Sequence, residues 1–259
     1  MADSTGMQDI RGLQIERAVK GYALTNYRFK ELMTIVSTGA WQNRYFTMTG
    51  ADLTGHSTEP IEGVPRLASF PYVEVSATQN NSYQKKHAGE SRISVEDAEA
   101  DAFDIINITL ERVGRAVTKS VDAEIWDVIT ENQTASTINS VAITAGSEWD
   151  SATISNRDPL QNIFAAQQAI AEDNYDPYTG SGYLLLNPKN YANLLGNSNV
   201  RNVGQFYSDD PTRSGQLKSV AGLKIIVSTN VTADYAAVCI SQVAGNWRQL
   251  QDLRVVTIT

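Results

Sequence analysis

Two histidines, His56 and His87, are the side chains of this sequence best suited to proton transfer at neutral pH. Catalysis by a histidine that activates a serine or cysteine requires a carboxylate to orient the imidazole ring inside a cleft. Both histidines fall in polar segments that predict a loop or a hairpin, so neither is predicted to be catalytic. The P-loop, GxSxG and HExxH patterns and a GxGxxG after a strand are missing from the sequence. We therefore predict that the protein is not an enzyme, with a hydrolase that uses His87 and a nearby acid as the competing hypothesis.

The sequence also offers few ligands for a metal ion. Asp173 and Asp176 have part of the spacing of a calcium loop, but Tyr175 stands where an oxygen ligand is required. This stretch is interpreted as a helix exit followed by a turn. The single cysteine, Cys239, lies in an apolar run that predicts a buried thiol, and no CxxC or His/Cys cluster has zinc spacing. We predict no catalytic residue, no metal and no cofactor.

Composition and charge exclude further classes of protein. The 259 residues are 42% hydrophobic, which is enough for a packed core, and only 19% are charged. The net charge of −8 comes without any basic run, whereas tight or sequence-specific DNA binding requires concentrated positive charge. No stretch approaches about 18 consecutive apolar residues, and residues 1–7 lack a signal-peptide pattern. The sequence thus predicts neither a membrane-spanning nor a secreted protein.

The element that organises the chain is a predicted long helix from Arg92 to Glu131. Ser94 followed by Asp97 resembles a capping box, and further acidic residues follow where a helix N-terminus favours negative charge. Apolar residues then recur at steps of three and four, as a helix with one buried face requires. These positions are Phe103, Ile106, Leu110, Val113, Val117, Val121, Ile125 and Val128. The alternative is a helix broken near Asn107 to Thr109, where β-branched residues cluster.

Residues 1–66 give weaker signals than the helix. Residues 1–35 mix apolar and charged side chains and predict either an extended arm or the first helix of the main domain. Residues 39–66 are rich in glycine and proline and are predicted to be mostly turns. Isolated aromatic residues are expected to anchor this second segment, namely Trp41, Tyr45 and Phe46.

Residues 66–93 predict a long hairpin that leads into the helix. Its first side runs through Phe70 to Val75, and its turn is placed at Asn80-Asn81-Ser82, because asparagine and serine favour turns. The return side begins at Tyr83 and is mostly polar. Because a hairpin alone is only marginally stable, it is expected to lie across a neighbour or to move as a loop.

Strands and shorter helices alternate after the long helix. The predicted order is a strand pair within Ala135–Gly146, a helix from Pro159 to Ala171, a strand at Tyr183–Leu186, a helix from Pro188 to Leu195, a polar loop at 196–216, and strands at Leu223–Val227, Ala236–Ile240 and Leu253–Ile258. The mixture of separate helices and strands predicts the α+β class, with one dominant helix.

This order of elements resembles the major capsid proteins of tailed double-stranded DNA phages, the family with the Hong Kong ninety-seven type capsid fold. Several short segments carry the resemblance across most of residues 60–259. They are Lys86-His-Ala-Gly89, Arg92-Ile-Ser-Val-Glu96, Val121-Asp122-Ala-Glu-Ile125, Tyr183-Leu-Leu-Leu-Asn-Pro-Lys-Asn-Tyr191, and Gly215-Gln-Leu-Lys-Ser-Val-Ala-Gly-Leu-Lys-Ile-Ile-Val-Ser228. The first 60 residues carry little specific similarity.

The resemblance implies a division of the chain into the parts of that fold. These are an N-terminal arm and connector at 1–60, an extended hairpin loop at 61–93, a peripheral domain with the spine helix at 94–150, an axial domain at 151–246, and a C-terminal strand returning to the sheet at 247–259. Contacts between subunits are expected at Arg66, Tyr72, Tyr83, Lys85, Lys86, Arg92, Trp41, Phe206 and Tyr207. Some relatives crosslink a hairpin lysine to an asparagine of a neighbour, but no such crosslink is predicted at Lys85 or Lys86.

The resemblance further implies a structural protein of the virion. Hexamers and pentamers of the chain would form an icosahedral head around double-stranded DNA, without sequence-specific binding to that DNA. Scaffolding, portal and decoration proteins are the implied partners, and assembly is implied in the host cytoplasm. No long helical propeptide precedes the arm, which suggests a separate scaffolding protein or a trimmed sequence. The alternative within the same fold is an encapsulin-type nanocompartment shell that encloses protein cargo.

Overall fold

A helix of 25 residues, α1 (Ile105–Ile129), runs through the protein. The computed structural model describes residues 19, 27–47, 62–72, 77–94, 96, 105–130, 138–204 and 215–254. One face of α1 is buried, with residues at steps of one, three and four. They are Gly114, Val117, Thr118, Val121, Asp122, Ile125 and Trp126. The predicted period is therefore confirmed from Gly114 to Trp126, although Ile106 and Val128, assigned to the same apolar face, are exposed.

The start and the continuity of the predicted helix are described in part. The predicted start at Arg92 is too early, because residues 91–94 are not helical, whereas Glu96 is helical. Residues 95 and 97–104 lie outside the described residues. The alternative break at Asn107 to Thr109 is wrong, because these residues lie inside α1. A β-branched residue costs only about 0.5 kcal/mol of helix propensity, which a continuous run of backbone hydrogen bonds outweighs.

A four-stranded sheet packs beside α1. Its order is β5 (Ser219–Val220), β6 (Leu223–Val227), β4 (Gly182–Leu186) and β7 (Ala236–Ile240). Strand β4 is parallel to β6 and antiparallel to β7. The three predicted strands in this sheet are thus confirmed.

The leucines of β4 explain how the sheet is covered on both sides. Leu185 packs in a core cluster with Ile125 and Trp126 of α1. Leu184 and Leu186 belong to a second cluster on the other face of the sheet. That cluster also contains Ile163 and Leu194, which lie in the helices before and after β4. Adjacent strand residues point to opposite faces, so an uninterrupted run of buried leucines indicates a strand buried on both sides.

Two predicted helices cover the second face of the sheet. Helix α2 (Pro159–Glu172) begins at Asp158, whose carboxylate accepts a hydrogen bond from the Gln161 amide at 3.2 Å. Helix α3 (Pro188–Gly196) begins at Asn187, whose side-chain oxygen accepts from the Lys189 amide at 3.0 Å. Both have proline in the first turn, where the missing amide proton costs nothing. Both predictions are confirmed.

The structure corrects the predictions for two segments around these helices. Residues 138–146 contain no strand, and Ile138, Val141 and Ile143 remain partly exposed, because no partner strand lies beside them among the described residues. The predicted loop at 196–216 contains helix α4 (Ser198–Gly204), and residues 205–214 lie outside the described residues. Asn197 favours this start, since its side-chain oxygen accepts from the Asn199 amide at 2.9 Å.

The two ends of the described chain meet in a separate pair of parallel strands. Strand β1 (Thr34–Ser37) pairs with β8 (Asn246–Gln249). Just before β1, Phe29 and Leu32 are fully buried in the cluster that contains Trp126. Phe29, Leu32 and Met33 are therefore part of the main core, whereas residues 1–26, apart from the buried Val19, lie outside the described residues.

The predicted C-terminal strand at Leu253–Ile258 is described only at its first two residues. Leu253 and Arg254 are not in a strand, and residues 255–259 lie outside the described residues. The last described strand is β8, which the sequence analysis did not predict and which pairs with β1 rather than with the four-stranded sheet. It forms where the backbone of β1 is available as a partner.

The hairpin is built from different residues than predicted. Strand β2 (Gln42–Thr47) pairs antiparallel with β3 (Thr78–Tyr83), so the segment between them, not Asn80-Asn81-Ser82, forms the connection. The prediction of a turn at these three residues is wrong. Asparagine and serine favour turns through local hydrogen bonds, but pairing with a partner strand overrides that local preference. Trp41, Tyr45 and Phe46, interpreted as isolated anchors, belong to the first strand or precede it.

Candidate assembly surface

Polar contacts fasten the base of the β2–β3 hairpin to the rest of the protein. The buried Asn43 accepts hydrogen bonds at its side-chain oxygen from the Thr38 hydroxyl at 3.2 Å and from Arg248 Nη1 at 3.3 Å. Arg248 lies in β8, and the Thr38 amide donates to the Gln249 carbonyl of the same strand at 3.0 Å. The hairpin therefore leaves the core from a fixed position.

The return from β3 is fastened to α1. Lys85 forms an ion pair with Glu124, and His87 Nδ1 shares a hydrogen bond of 2.9 Å with the Ser120 hydroxyl. The His87 ring also lies 6.5 Å from the ring of Trp247, measured between centroids. Glu124 and Ser120 are one helical turn apart, so the strand exit crosses α1 over a single turn. His87 thus contacts α1 and β8 just after the end of β3.

In the single chain, the hairpin exposes aromatic side chains to solvent. Register pairs Gln42 with Tyr83 and Phe46 with Gln79, which places Phe46 and Tyr83 on the face opposite Asn43. Phe46 is 63% exposed and Tyr83 is 64% exposed. We call this face, with Gln42, Arg44, Phe46, Gln79, Asn81 and Tyr83, the outer hairpin face.

A second group of exposed apolar residues lies between the two strands in sequence. Leu67, Phe70 and Tyr72 each keep more than three quarters of their surface in water. Leu67 also has a positive φ of 71°, which is uncommon for a residue other than glycine. These three residues add exposed apolar surface to the stretch of sequence between β2 and β3.

The predicted contact residues fall into three groups. Trp41, Arg66, Tyr72, Tyr83 and Lys86 are exposed. Lys85 and Arg92 are exposed and hold intrachain partners, Glu124 and Glu90. Phe206 and Tyr207 lie outside the described residues. Sequence reasoning missed Phe46, Leu67 and Phe70, although three aromatics within Trp41–Phe46 were a signal for a strand.

The segment before β1 is held to α1 by a buried carboxylate. Asp122 Oδ2 accepts from the Arg28 amide at 2.9 Å, and Oδ1 accepts from the Phe29 amide at 3.3 Å. Burial raises the pKa of Asp122 above its ordinary value of 3.8, and the two amide hydrogen bonds and the nearby Arg28 charge oppose that rise. The carboxylate therefore fixes the position of the chain where it enters the core.

This raised pKa gives a testable pH dependence. Because folded Asp122 binds its proton more tightly than unfolded Asp122, its contribution to stability is greatest below pH 3.8 and is lost as the pH rises through the folded pKa. Asp122→Asn removes that titration and keeps an oxygen acceptor. We expect the free energy of unfolding of the variant, relative to the unchanged chain, to increase across this window in urea titrations. A decrease would contradict the assignment, and Asp127→Asn, an exposed carboxylate on the same helix, controls for charge.

The remaining chemical groups are engaged in structural roles. Burial raises the pKa of the Cys239 thiol to about 12, so it stays protonated and unreactive at neutral pH. Asp173 ends α2, and Asp176 accepts from the Tyr178 amide, which matches the predicted helix exit and turn. Within the described ranges, no three histidine, cysteine or acidic side chains form a group able to hold a metal ion. Nor does the described part of the chain include a helix suited to spanning a membrane.

Comparisons with known proteins bear on the family and the fold of the chain. The family model described as phage capsid protein matches residues 81–251. No curated protein matches the sequence. Among solved structures, the chain is similar to a virus-like particle from Pyrococcus furiosus, with 14% identity, a TM-score of 0.57, and coverage of 90% of this chain and 80% of the other.

Two phage capsids are similar over a smaller share of their own length. The capsid of the cyanophage P-SCSP1u has 16% identity and a TM-score of 0.56, with 80% of this chain and 65% of the other covered. The mature capsid of bacteriophage PhiM1 has 14% identity and a TM-score of 0.53, with 80% and 64% covered. The chain thus spans just under two thirds of these capsid proteins. The likenesses confirm the predicted α+β phage capsid fold of the Hong Kong ninety-seven type.

Proposed function

The chain belongs to the phage capsid protein family, and from this premise we propose that its copies form hexamers and pentamers that tile an icosahedral head around double-stranded DNA. As a member of that family it is a major capsid protein, a structural part of the virion shell that works as a homo-oligomer. Its role is structural rather than enzymatic. Shell stability then comes from large interfaces shared between copies, beyond the core of each one.

One observation carries the proposal beyond family membership, namely the exposed aromatic surface on a fastened hairpin. Phe46 and Tyr83 lie on one face of a strand pair whose base is held by Asn43 and whose exit is held by Lys85. Aromatic residues dominate the binding energy of protein interfaces. A rigid base lets them reach a neighbour with little loss of chain entropy on assembly.

The parts of the chain receive roles in this proposal. Residues 1–60 supply an arm and, from Gln42, the first hairpin strand; residues 61–93 complete the hairpin. Residues 94–150 form the peripheral domain, residues 151–246 the axial domain, and residues 247–259 the returning C-terminal segment. Subunit contacts are proposed at the outer hairpin face, at the earlier predicted positions, and at the segment containing Phe206 and Tyr207, which is assigned to the capsomer axis.

Other partners follow from the chemistry of a DNA-filled head. Scaffolding, portal and decoration proteins are proposed as partners, with assembly in the host cytoplasm and packaged DNA in contact with the inner wall. The net charge of −8 keeps such a wall from holding the genome tightly, since tight binding needs many phosphate contacts. The family match favours a phage head over an encapsulin-type compartment, because the matching model describes phage capsid proteins.

Negative-stain electron microscopy of the purified full chain tests the assembly proposal. We expect closed shells or capsomer rings, either from the chain alone or after addition of a candidate scaffolding protein. Neighbouring terminase and portal genes would support a phage head, whereas a neighbouring cargo enzyme would support the compartment. A chain that stays monomeric with and without scaffold, at concentrations where related shells form, would overturn the proposal.

A further inference from the structure

A basic cleft lies where the entry of the chain, α1 and the end of β6 come together. Its lining includes three cations, Arg28, Arg115 and Lys119, in a protein with 29 acidic and 21 basic residues. The other lining residues are mainly polar: Thr118, Asp122, Pro188, Val227, Ser228, Thr229 and Asn230. The charge of this cleft is therefore opposite to that of the chain as a whole.

The polar lining holds the backbone of each cationic residue in place. Asp122 accepts from the Arg28 amide at 2.9 Å, and Thr118 donates its hydroxyl proton to the Arg115 carbonyl at 2.9 Å. Asn230 donates from Nδ2 to the Lys119 carbonyl at 3.3 Å. Three different lining residues thus each bond to the main chain of one cationic residue, and none of these three bonds uses a charged end of a side chain.

The charges in the cleft are only partly neutralised from within the chain. Arg115 pairs with Glu111 one helical turn away, but both side chains are solvated, and an exposed pair of this kind contributes only about 0–1 kcal/mol. Asp122, the one lining carboxylate, accepts backbone hydrogen bonds at both oxygens, and its negative charge interacts with the nearby Arg28 guanidinium. Within the part of the chain that the structure describes, no acidic side chain forms an ion pair with Arg28 or Lys119. The cleft thus has positive charge available to an anion.

We propose that this cleft binds a backbone phosphate of the packaged DNA, which places it on the inner wall of the shell. Arginine and lysine ends surrounded by hydroxyl and amide groups are the donors that phosphate oxygens accept. One such contact per subunit, repeated over many copies, restrains the DNA locally while the acidic remainder of the wall repels it. This inference rests on the proposed head function and adds the site and the kind of contact.

Salt-dependent binding of a short fluorescent duplex DNA to the full-length chain tests the site. Removing one phosphate contact should reduce the slope of log affinity against log salt by about one. We expect Lys119→Gln to show that reduction, and Arg115→Gln to show it as well. Neither change removes the hydrogen bonds described above, because those bonds use backbone atoms of the two residues. Lys218→Gln, an exposed lysine outside the cleft with the same change in charge, should keep the original slope.

The outcomes separate this inference from the assembly proposal. If Lys119→Gln and Lys218→Gln reduce the salt slope equally, DNA binding depends on overall charge, and the proposed phosphate site is wrong. Loss of shells in Lys119→Gln with an unchanged salt slope would overturn it in favour of an acidic segment of a second copy. Electron microscopy of the same preparations reports assembly independently. Shells that form normally while the unchanged chain binds no DNA leave the head proposal standing and remove only the cleft.

Discussion

Replacing Phe46 and Tyr83 together by serine should leave a folded chain that no longer forms shells. Both side chains are more than 60% exposed, so their loss should change the stability of the single chain by only about 0.5 kcal/mol. In an interface, truncating a buried aromatic anchor costs about 2 kcal/mol or more, and every contact made through the outer hairpin face loses it. Particle counts by electron microscopy measure assembly, and thermal unfolding of the unassembled chain measures folding.

A control separates the outer hairpin face from exposed aromatics in general. Tyr178 is 65% exposed and lies in the turn between α2 and β4, so Tyr178→Ser removes a similar exposed ring from another part of the fold. We expect that variant to assemble. Normal shells from the Phe46 and Tyr83 double variant would show that the outer hairpin face is not a subunit contact. Loss of shells in both the double variant and Tyr178→Ser would show that assembly does not depend on this face in particular.

The predictions that succeeded rest on signals contained within a single element. The buried face of α1 follows from Val117, Val121 and Ile125, which lie on one side of a helix wherever that helix is placed. The start of helix α2 is likewise predicted by Asp158 and the proline that follows it. Such features depend on residues close in sequence, so the sequence alone identifies them.

Most of the predictions that failed concern strands, whose partners are distant in sequence. Asn80, Asn81 and Ser82 favour a turn locally, but β2 lies more than 30 residues earlier and supplies the backbone partners that make them a strand. Strand β1 pairs with β8 near the other end of the chain, and the sequence of neither strand predicts which strand will be its partner. Pairing between strands is set by tertiary context more than by propensity, so these errors concentrate in the strands.

The basic cleft likewise consists of residues that are distant in sequence and are brought together only by folding. Arg28 precedes β1, Lys119 lies within α1, and Asn230 follows β6, so no sequence window contains the three. The net charge of −8 correctly indicates that the protein is not strongly basic. A net charge cannot indicate that folding brings three basic side chains together at one place. The exposed aromatics around the hairpin were recognised in part, because Trp41, Tyr72 and Tyr83 stand out in polar surroundings even when their partner strand is assigned wrongly.

Replacing Trp126 by alanine should produce the largest loss of stability in the single chain. Trp126 is 2% exposed and packs with Phe29 at a centroid distance of 6.3 Å. Its Nε1 donates to the Thr232 hydroxyl at 3.1 Å. Truncating a buried tryptophan costs about 3–5 kcal/mol, a large part of the roughly 5–15 kcal/mol that holds a typical domain folded. Urea unfolding followed by circular dichroism, at concentrations below assembly, measures the change.

The control is the same substitution at an exposed tryptophan. Trp41 is 63% exposed, so Trp41→Ala should lower the free energy of unfolding by no more than about 0.5 kcal/mol. Assembly must be excluded in both measurements, because association of folded copies adds apparent stability by mass action. Trp126 joins α1 to Phe29 at the chain entry and to Thr232 after β6, so its loss loosens the three elements that border the basic cleft. Equal destabilisation by the two substitutions would mean that Trp126 does not hold this junction.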